Sequence, residues 1–211
     1  MTRALRPEFE TARWYRDHVR AYGYGYKALG FGRRSSQEKR FAAMLELGSF
    51  HGRRLLDAGC GFGDFLGYLT ERGIQPAVYT GLDICPPMIE RCKKRFPRSD
   101  AHFVVGDALT YEPEASFDYV VASGLFGYAA QGMRERLRPV VEHLFSLAGI
   151  GLAVNFLSGA TPRRAAGRLY VYPWDVLQLA LGMTPAVRLD HTYLPNDFTL
   201  CMYQMPPWAQ S

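Results

Sequence analysis

Between Leu55 and Phe65 the chain reads LLDAGCGFGDF: an apolar pair, an acid, glycines at 59, 61 and 63, and the start of an amphipathic stretch. No other segment restricts the fold so tightly. Glycine tolerates positive φ and lets a ligand lie against bare backbone. The pattern therefore predicts a strand running into Asp57, a tight turn over the glycines, and a helix from Asp64. Such a turn joins a strand to its crossover helix in an open α/β sheet, and ligands bind such sheets at the strand C-termini.

Further apolar runs follow at Val78 to Asp83, His102 to Asp107, Phe117 to Gly124 and Gly151 to Leu157. Helical patterns over Asp64–Arg72, Pro87–Phe96 and Met133–Leu147 separate them. Val187–Tyr193 and Phe198–Met205 alternate around LPND, which predicts an antiparallel hairpin with a four-residue loop. The stretch SSQEKRFAAMLELG predicts a helix opening at Ser35 or Ser36 and closing at Gly48, preceded by a segment rich in aromatics and glycine. The sum is an α/β fold: a doubly wound, mostly parallel seven-stranded sheet with an antiparallel C-terminal hairpin and an N-terminal helical cap. With 211 residues the expectation is one domain, divided into a cap or lid (1–50), a ligand-binding core (51–157) and a substrate-side insertion with the hairpin (158–211).

Composition excludes several classes. Hydrophobic residues make up 48% and charged residues 21%, the balance of a soluble globular chain. The longest apolar stretch, Val140 to Ala160, carries Glu142, His143 and Asn155 and suits no bilayer. The N-terminus lacks the apolar core of a signal peptide, so a cytoplasmic location is expected. Cys60, Cys85, Cys92 and Cys201 show no CxxC pair and no neighbouring His cluster, which reads as free thiols and no metal site. The net charge of +5 is spread along the chain among Asp and Glu, unlike a nucleic-acid footprint.

A dinucleotide turn of the form GxGxxG would need glycine at position 64. The residue is Asp64, a carboxylate at a helix N-terminus where a pyrophosphate would otherwise sit. A ligand with a cationic end suits Asp57 and Asp64 better. Asp83, twenty residues past Gly63, ends the second strand, where a carboxylate accepts ribose hydroxyls.

The D-x-G-x-G-x-G pattern at the end of a first strand resembles motif I of the class I S-adenosylmethionine-dependent methyltransferases, whose fold is Rossmann-like. The resemblance implies S-adenosylmethionine as cofactor and S-adenosylhomocysteine as product. It further implies that Asp57, Ala58, Gly59, Cys60, Gly61 and Gly63 form the cradle, and that Asp83 takes the ribose. Asp107 would accept the adenine amino group beside the Ala108 amide, Ile84 and Leu109 would sandwich the ring, and Ser123 and Gly124 would complete the set.

Strand four, FDYVVASGLFGY, has no Asn/Asp-Pro-Pro-Tyr, no cysteine nucleophile, and no acid from Ala122 to Gly132. By elimination this predicts a metal-independent enzyme for a small-molecule acceptor. Displacement at a sulfonium methyl needs positioning first, and a base only if the acceptor must lose a proton. His18 and His191 are the candidate bases. Tyr15, Tyr22 and Tyr26 could close over the cofactor. Arg163, Arg164 and Arg168, beside Tyr170, Tyr172 and Trp174, could clamp an anionic acceptor. Alternatives are a methyltransferase acting on RNA or protein, a dehydrogenase, and a nucleotide-binding module without chemistry. The acceptor atom and the oligomeric state stay open.

Overall fold

Alternate residues along β1 (Arg54–Ala58) face opposite ways: Leu55 packs into one apolar cluster and Leu56 into another. That division runs across the whole sheet and explains the near-continuous apolar strands, because a strand covered on both faces has no polar side to show. The structure, a computed structural model, describes residues 7–30 and 32–205.

The remaining elements are α1 (Pro7–Tyr22), α2 (Arg34–Leu45), α3 (Asp64–Glu71), β2 (Val78–Asp83), α4 (Pro86–Arg95), β3 (Ala101–Val105), β4 (Phe117–Ala122), α5 (Met133–Ser146), β5 (Ala148–Ser158), β6 (Tyr170–Val171), α6 (Pro173–Leu181), β7 (Val187–Leu194) and β8 (Asp197–Tyr203). The strands order as β3-β2-β1-β4-β5-β8-β7, with the two-residue β6 pairing to β5. β1 to β5 run parallel, whereas β8 lies antiparallel to both β5 and β7.

Helices cover both faces. Phe41 and Met44 of α2, Leu66 and Leu69 of α3 and Ile89 of α4 pack one side with Leu55, Tyr119 and Val121. Leu137, Val141 and Leu144 of α5 and Val176 of α6 pack the other with Leu56, Val120 and Leu200. Each fully buried aliphatic side chain contributes about 1.5–3 kcal/mol relative to exposure, so these two layers dominate the stability. A third, small cluster joins Tyr15, Val19 and Leu29 to Phe62, Cys85 and Met88, and seats α1 over the glycine turn.

The sheet matches the expected mostly parallel arrangement with an antiparallel C-terminal hairpin, with differences at its margins, the two-residue β6 among them. The hairpin loop is Pro195–Asn196, two residues rather than LPND, because Leu194 and Asp197 still pair. β5 is longer than Gly151–Leu157 at both ends. The aromatic N-terminal segment is helical only through Tyr22, as the end of α1, which carries Glu8 and Glu10 in its first turn, while Tyr24 and Tyr26 lie in the turns that follow. Among the described residues no helix is long and apolar enough to cross a membrane.

Candidate active site

The chain winds outward from β1 to β3, then crosses back to β4, so β1 and β4 flank the point where strand order reverses. Loops leaving their C-termini diverge there and leave a crevice. An open cavity fills it, walled by the glycine turn, the ends of β2, β3 and β4, helix α5, and α1 above.

The glycine turn is forced by its backbone. Gly59, Gly61 and Gly63 sit at φ +79°, +55° and +71°, values that side-chain-bearing residues rarely adopt. A Cβ on Gly61 would come within 2.8 Å of the Leu29 side chain, so the turn is bare backbone under an apolar roof. Gly59 and Cys60 both donate to the Leu82 carbonyl, which ties the turn to β2.

Asp83 is buried at the end of β2. One carboxylate oxygen accepts the Gly61 amide at 2.9 Å and the other the Cys85 amide at 2.9 Å. Burial raises its carboxyl above the ordinary aspartate value, and these two amides pull it back. Asp57, at the end of the β1 run, accepts a 2.5 Å bond from the Tyr79 hydroxyl. Burial raises its pKa to about 7, opposed by that bond and assisted by the charges of Asp83 and Asp64. Asp64 also lines the cavity, but its charge is offset by Arg95 at 2.5 Å and Gln37 at 3.1 Å.

At the far end Asp107 accepts from the Leu109 amide at 2.8 Å, and both its oxygens accept from Arg136 of α5 at 2.6 and 2.8 Å. Arg136 in turn bonds Glu8 of α1 at 2.9 Å. Glu10 holds the Tyr128 hydroxyl and the Gln131 amide, each at 3.1 Å. Helix α1 is thus fastened over the cavity by polar contacts at its first turn.

The expected cofactor residues Asp57, Gly59, Cys60, Gly61, Asp83, Ile84, Asp107, Ala108, Ser123 and Gly124 all line this cavity. Ala58 and Gly63 support the turn without lining it, and Leu109 packs instead on the core beside α5. Met133 and Val140 of α5 also line the cavity, a position that no sequence spacing marks.

The substrate candidates divide. Tyr15 lines the cavity, and burial pushes its hydroxyl up to about 12. Tyr22 is exposed, and Tyr26 faces a separate groove beside α2 and α4. A second cavity adjoins the first and is lined by Tyr170, Arg168, Arg40, Asn155 and Asp197 among others. Arg163 is exposed. Arg164 bonds the Gly159 carbonyl and lies over the rings of Tyr170 and Tyr172, while Tyr172 stacks on Trp174. Neither Arg163 nor Arg164 lines either of these two cavities, whereas Arg168 of the same loop lines the second.

Neither candidate base lines either cavity. His18 stacks on Trp14 and bonds its carbonyl at 3.0 Å. His191 sits on β7 with its ring edge toward Phe198. Among the described residues no group of His, Cys, Asp and Glu is placed to hold a metal ion.

Asn155 links the two cavities. Its side-chain oxygen accepts the Gly124 amide at 2.7 Å and its amide donates to Asp197 at 3.3 Å. Asp197 is paired with Arg40 through two 2.6 Å bonds, in a site where both side chains are buried. Sequence reading missed Glu8, Arg136, Asn155 and the Arg40–Asp197 pair.

The family model described as "Methyltransferase domain" matches residues 55–145. Rv1506c of Mycobacterium tuberculosis, assigned by its name to the methyltransferases, is 41% identical over 152 residues, 68% of this chain and 89% of that protein. The phthiotriol/phenolphthiotriol dimycocerosates methyltransferase of Mycobacterium leprae is 46% identical over 72 residues, 33% of this chain. That matched stretch spans only 26% of the relative's own length. Among solved structures, magnesium protoporphyrin IX methyltransferase from Synechocystis PCC 6803 with bound SAM superposes with a TM-score of 0.70 at 17% identity, over 97% of this chain and 100% of that one. At that identity the likeness speaks to the fold.

Proposed function

The chain belongs to the class I S-adenosylmethionine-dependent methyltransferase family, and from that membership we propose that it transfers the methyl group of S-adenosylmethionine to a small-molecule acceptor. The observation that carries the reading is Asp83, a buried carboxylate held by two backbone amides beside a turn of positive-φ glycines. Each oxygen keeps a lone-pair direction for a ribose hydroxyl.

The residues present fit the cofactor. The Ser123 hydroxyl oxygen, in the cavity wall, is buried with no hydrogen-bond partner among the described residues, a polar atom that a polar ligand would satisfy. Asp57 supplies a carboxylate for an ammonium, Asp107 and the Ala108 backbone suit an adenine edge, and Ile84 gives an apolar flank. When bound, S-adenosylmethionine supplies an electrophilic methyl carbon on a sulfonium. The chain's own task is to orient that carbon toward the second cavity and to keep water out with α1.

The acceptor cavity lies between residues 29–30 and the loop after β5, which favours a small molecule over a polymer. No metal ion is required by this reading. The four cysteines are free and buried, which suits a reducing compartment, and we place the protein in the cytoplasm. Calorimetry with S-adenosylmethionine, S-adenosylhomocysteine and NADH in parallel tests the proposal. Binding of the first two without the third is expected; NADH binding with no response to S-adenosylhomocysteine would replace it with a dehydrogenase.

A further inference from the structure

We propose that the methyl acceptor is a carboxylate on an apolar body, held by Arg168 in the second cavity and converted to its methyl ester. The inference rests on the methyltransferase reading above and narrows it to one substrate class. Two separate observations carry it, one about charge and one about protons.

The second cavity opens beside the first, with Leu29, Gly124 and Phe126 in the walls of both. Its two arginines differ. Arg40 is committed to Asp197. Arg168 is half-buried, lies 5.1 Å over the Trp14 ring and donates to the Gly30 carbonyl at 2.9 Å. Among the described residues no carboxylate stands within ion-pair distance of it, so the cavity carries one positive charge beyond the mutually paired Arg40 and Asp197. A partly desolvated guanidinium favours an anion, and its planar fork matches a carboxylate. Leu29, Phe126, Phe156 and Leu157 give the wall an apolar part against which a hydrocarbon body can pack.

Methylating an alcohol, amine or thiol releases a proton that some base must take. Among the described residues no base in either cavity is free: in the first, Asp57 is bonded to Tyr79, Asp83 to two backbone amides, Asp64 to Arg95, and Glu8 and Asp107 to Arg136. His18 and His191 lie outside both, Tyr15 holds its proton far above neutrality, and Asp197 is bonded to Arg40 and Asn155. A carboxylate needs no base. One of its oxygen lone pairs forms the new O–CH3 bond while the S–CH3 bond breaks with its electron pair on sulfur. The sulfonium and carboxylate charges cancel, and no proton is released. The ester has also lost the charge that Arg168 holds, so product is bound less firmly than substrate.

The test is direct binding to protein already loaded with S-adenosylhomocysteine. Octanoate, benzoate and indole-3-acetate are each titrated calorimetrically against the matching amide. At least one carboxylate is expected to bind tenfold or more tightly than its amide. Arg168→Gln should abolish that preference and Arg168→Lys should keep part of it, with S-adenosylhomocysteine affinity within twofold of wild type in both. Amides binding as well as carboxylates, no carboxylate binding, or a preference that survives in Arg168→Gln would overturn the proposal. Failure of the wild type to bind S-adenosylhomocysteine would overturn the methyltransferase reading with it, whereas normal S-adenosylhomocysteine binding without carboxylate preference sinks this inference alone.

Discussion

Asp57 and Asp83 end neighbouring strands, yet their carboxylates are prepared for different partners. Asp83 is held by two amides, and replacing it by Ala should weaken S-adenosylhomocysteine binding by about 1.5–3 kcal/mol, the range for a charged hydrogen-bond group. Unchanged affinity by calorimetry would remove its assignment to the ribose. Asp57 has its pKa raised to about 7 against an ordinary 3.8. Between those values the folded chain holds a proton that the unfolded chain has lost, so this group favours folding most at the acid end. Its contribution falls as pH rises toward about 7 and is flat above. An ammonium placed beside it favours the ionised form, so cofactor binding at pH 6 should expel a proton. Heats measured at that pH in two buffers of different ionisation enthalpy should differ for the wild type and agree for Asp57→Asn; equal heats in the wild type would count against the ammonium contact. Both aspartates were legible in the sequence because a strand end fixes where its side chain goes. The bond from Arg136 to Asp107 was not, since the two are joined only once α5 has packed.

Helix α1 shows what the element scale adds. Its sequence, PEFETARWYRDHVRAY, mixes aromatics with charges so that no clean apolar stripe marks it as a helix, and its partners lie more than a hundred residues away. The strand–helix alternation of the core was readable because short apolar runs ending in turns alternate with longer amphipathic stretches. The hairpin loop was read two residues too long, because Pro195 and Asn196 make the turn while Leu194 and Asp197 still pair. The Glu8–Arg136 pair is only partly buried and is therefore sensitive to screening. Glu8→Gln combined with Glu10→Gln should raise the dissociation rate of S-adenosylhomocysteine several-fold, and added salt should do the same to the wild type. Stopped-flow displacement reads both; a rate indifferent to salt and to the double substitution would show that α1 does not gate the cavity.

At the scale of the molecule, the buried pair between Arg40 on α2 and Asp197 at the start of β8 fastens the hairpin side of the sheet to the helical cap. Removing one partner leaves a buried charge alone, so Arg40→Met should cost about 3–5 kcal/mol, read as a lower urea midpoint. Adding Asp197→Leu should restore much of it; a double variant as unstable as the single one would contradict the account. β5 illustrates the limit of sequence reading for the whole fold, since its run of small and apolar residues shows that it is central but not that β8, returning from beyond α6, will be its neighbour. That return has a consequence for how the protein assembles. β1 and β2, like β2 and β3, pair residues 22 to 24 positions apart, whereas β5 and β8 must bring together residues 40 to 52 positions apart before their pairing is rewarded. Asp197 takes its place opposite Leu157 only at that step, and with it the second cavity gains its last wall. The two halves of the active site should therefore mature in sequence, the nucleotide cradle first and the acceptor chamber last. Pulse-labelled hydrogen exchange during refolding should protect the amides of β1 and β2 before those of β8, and simultaneous protection would show that both halves form in a single event.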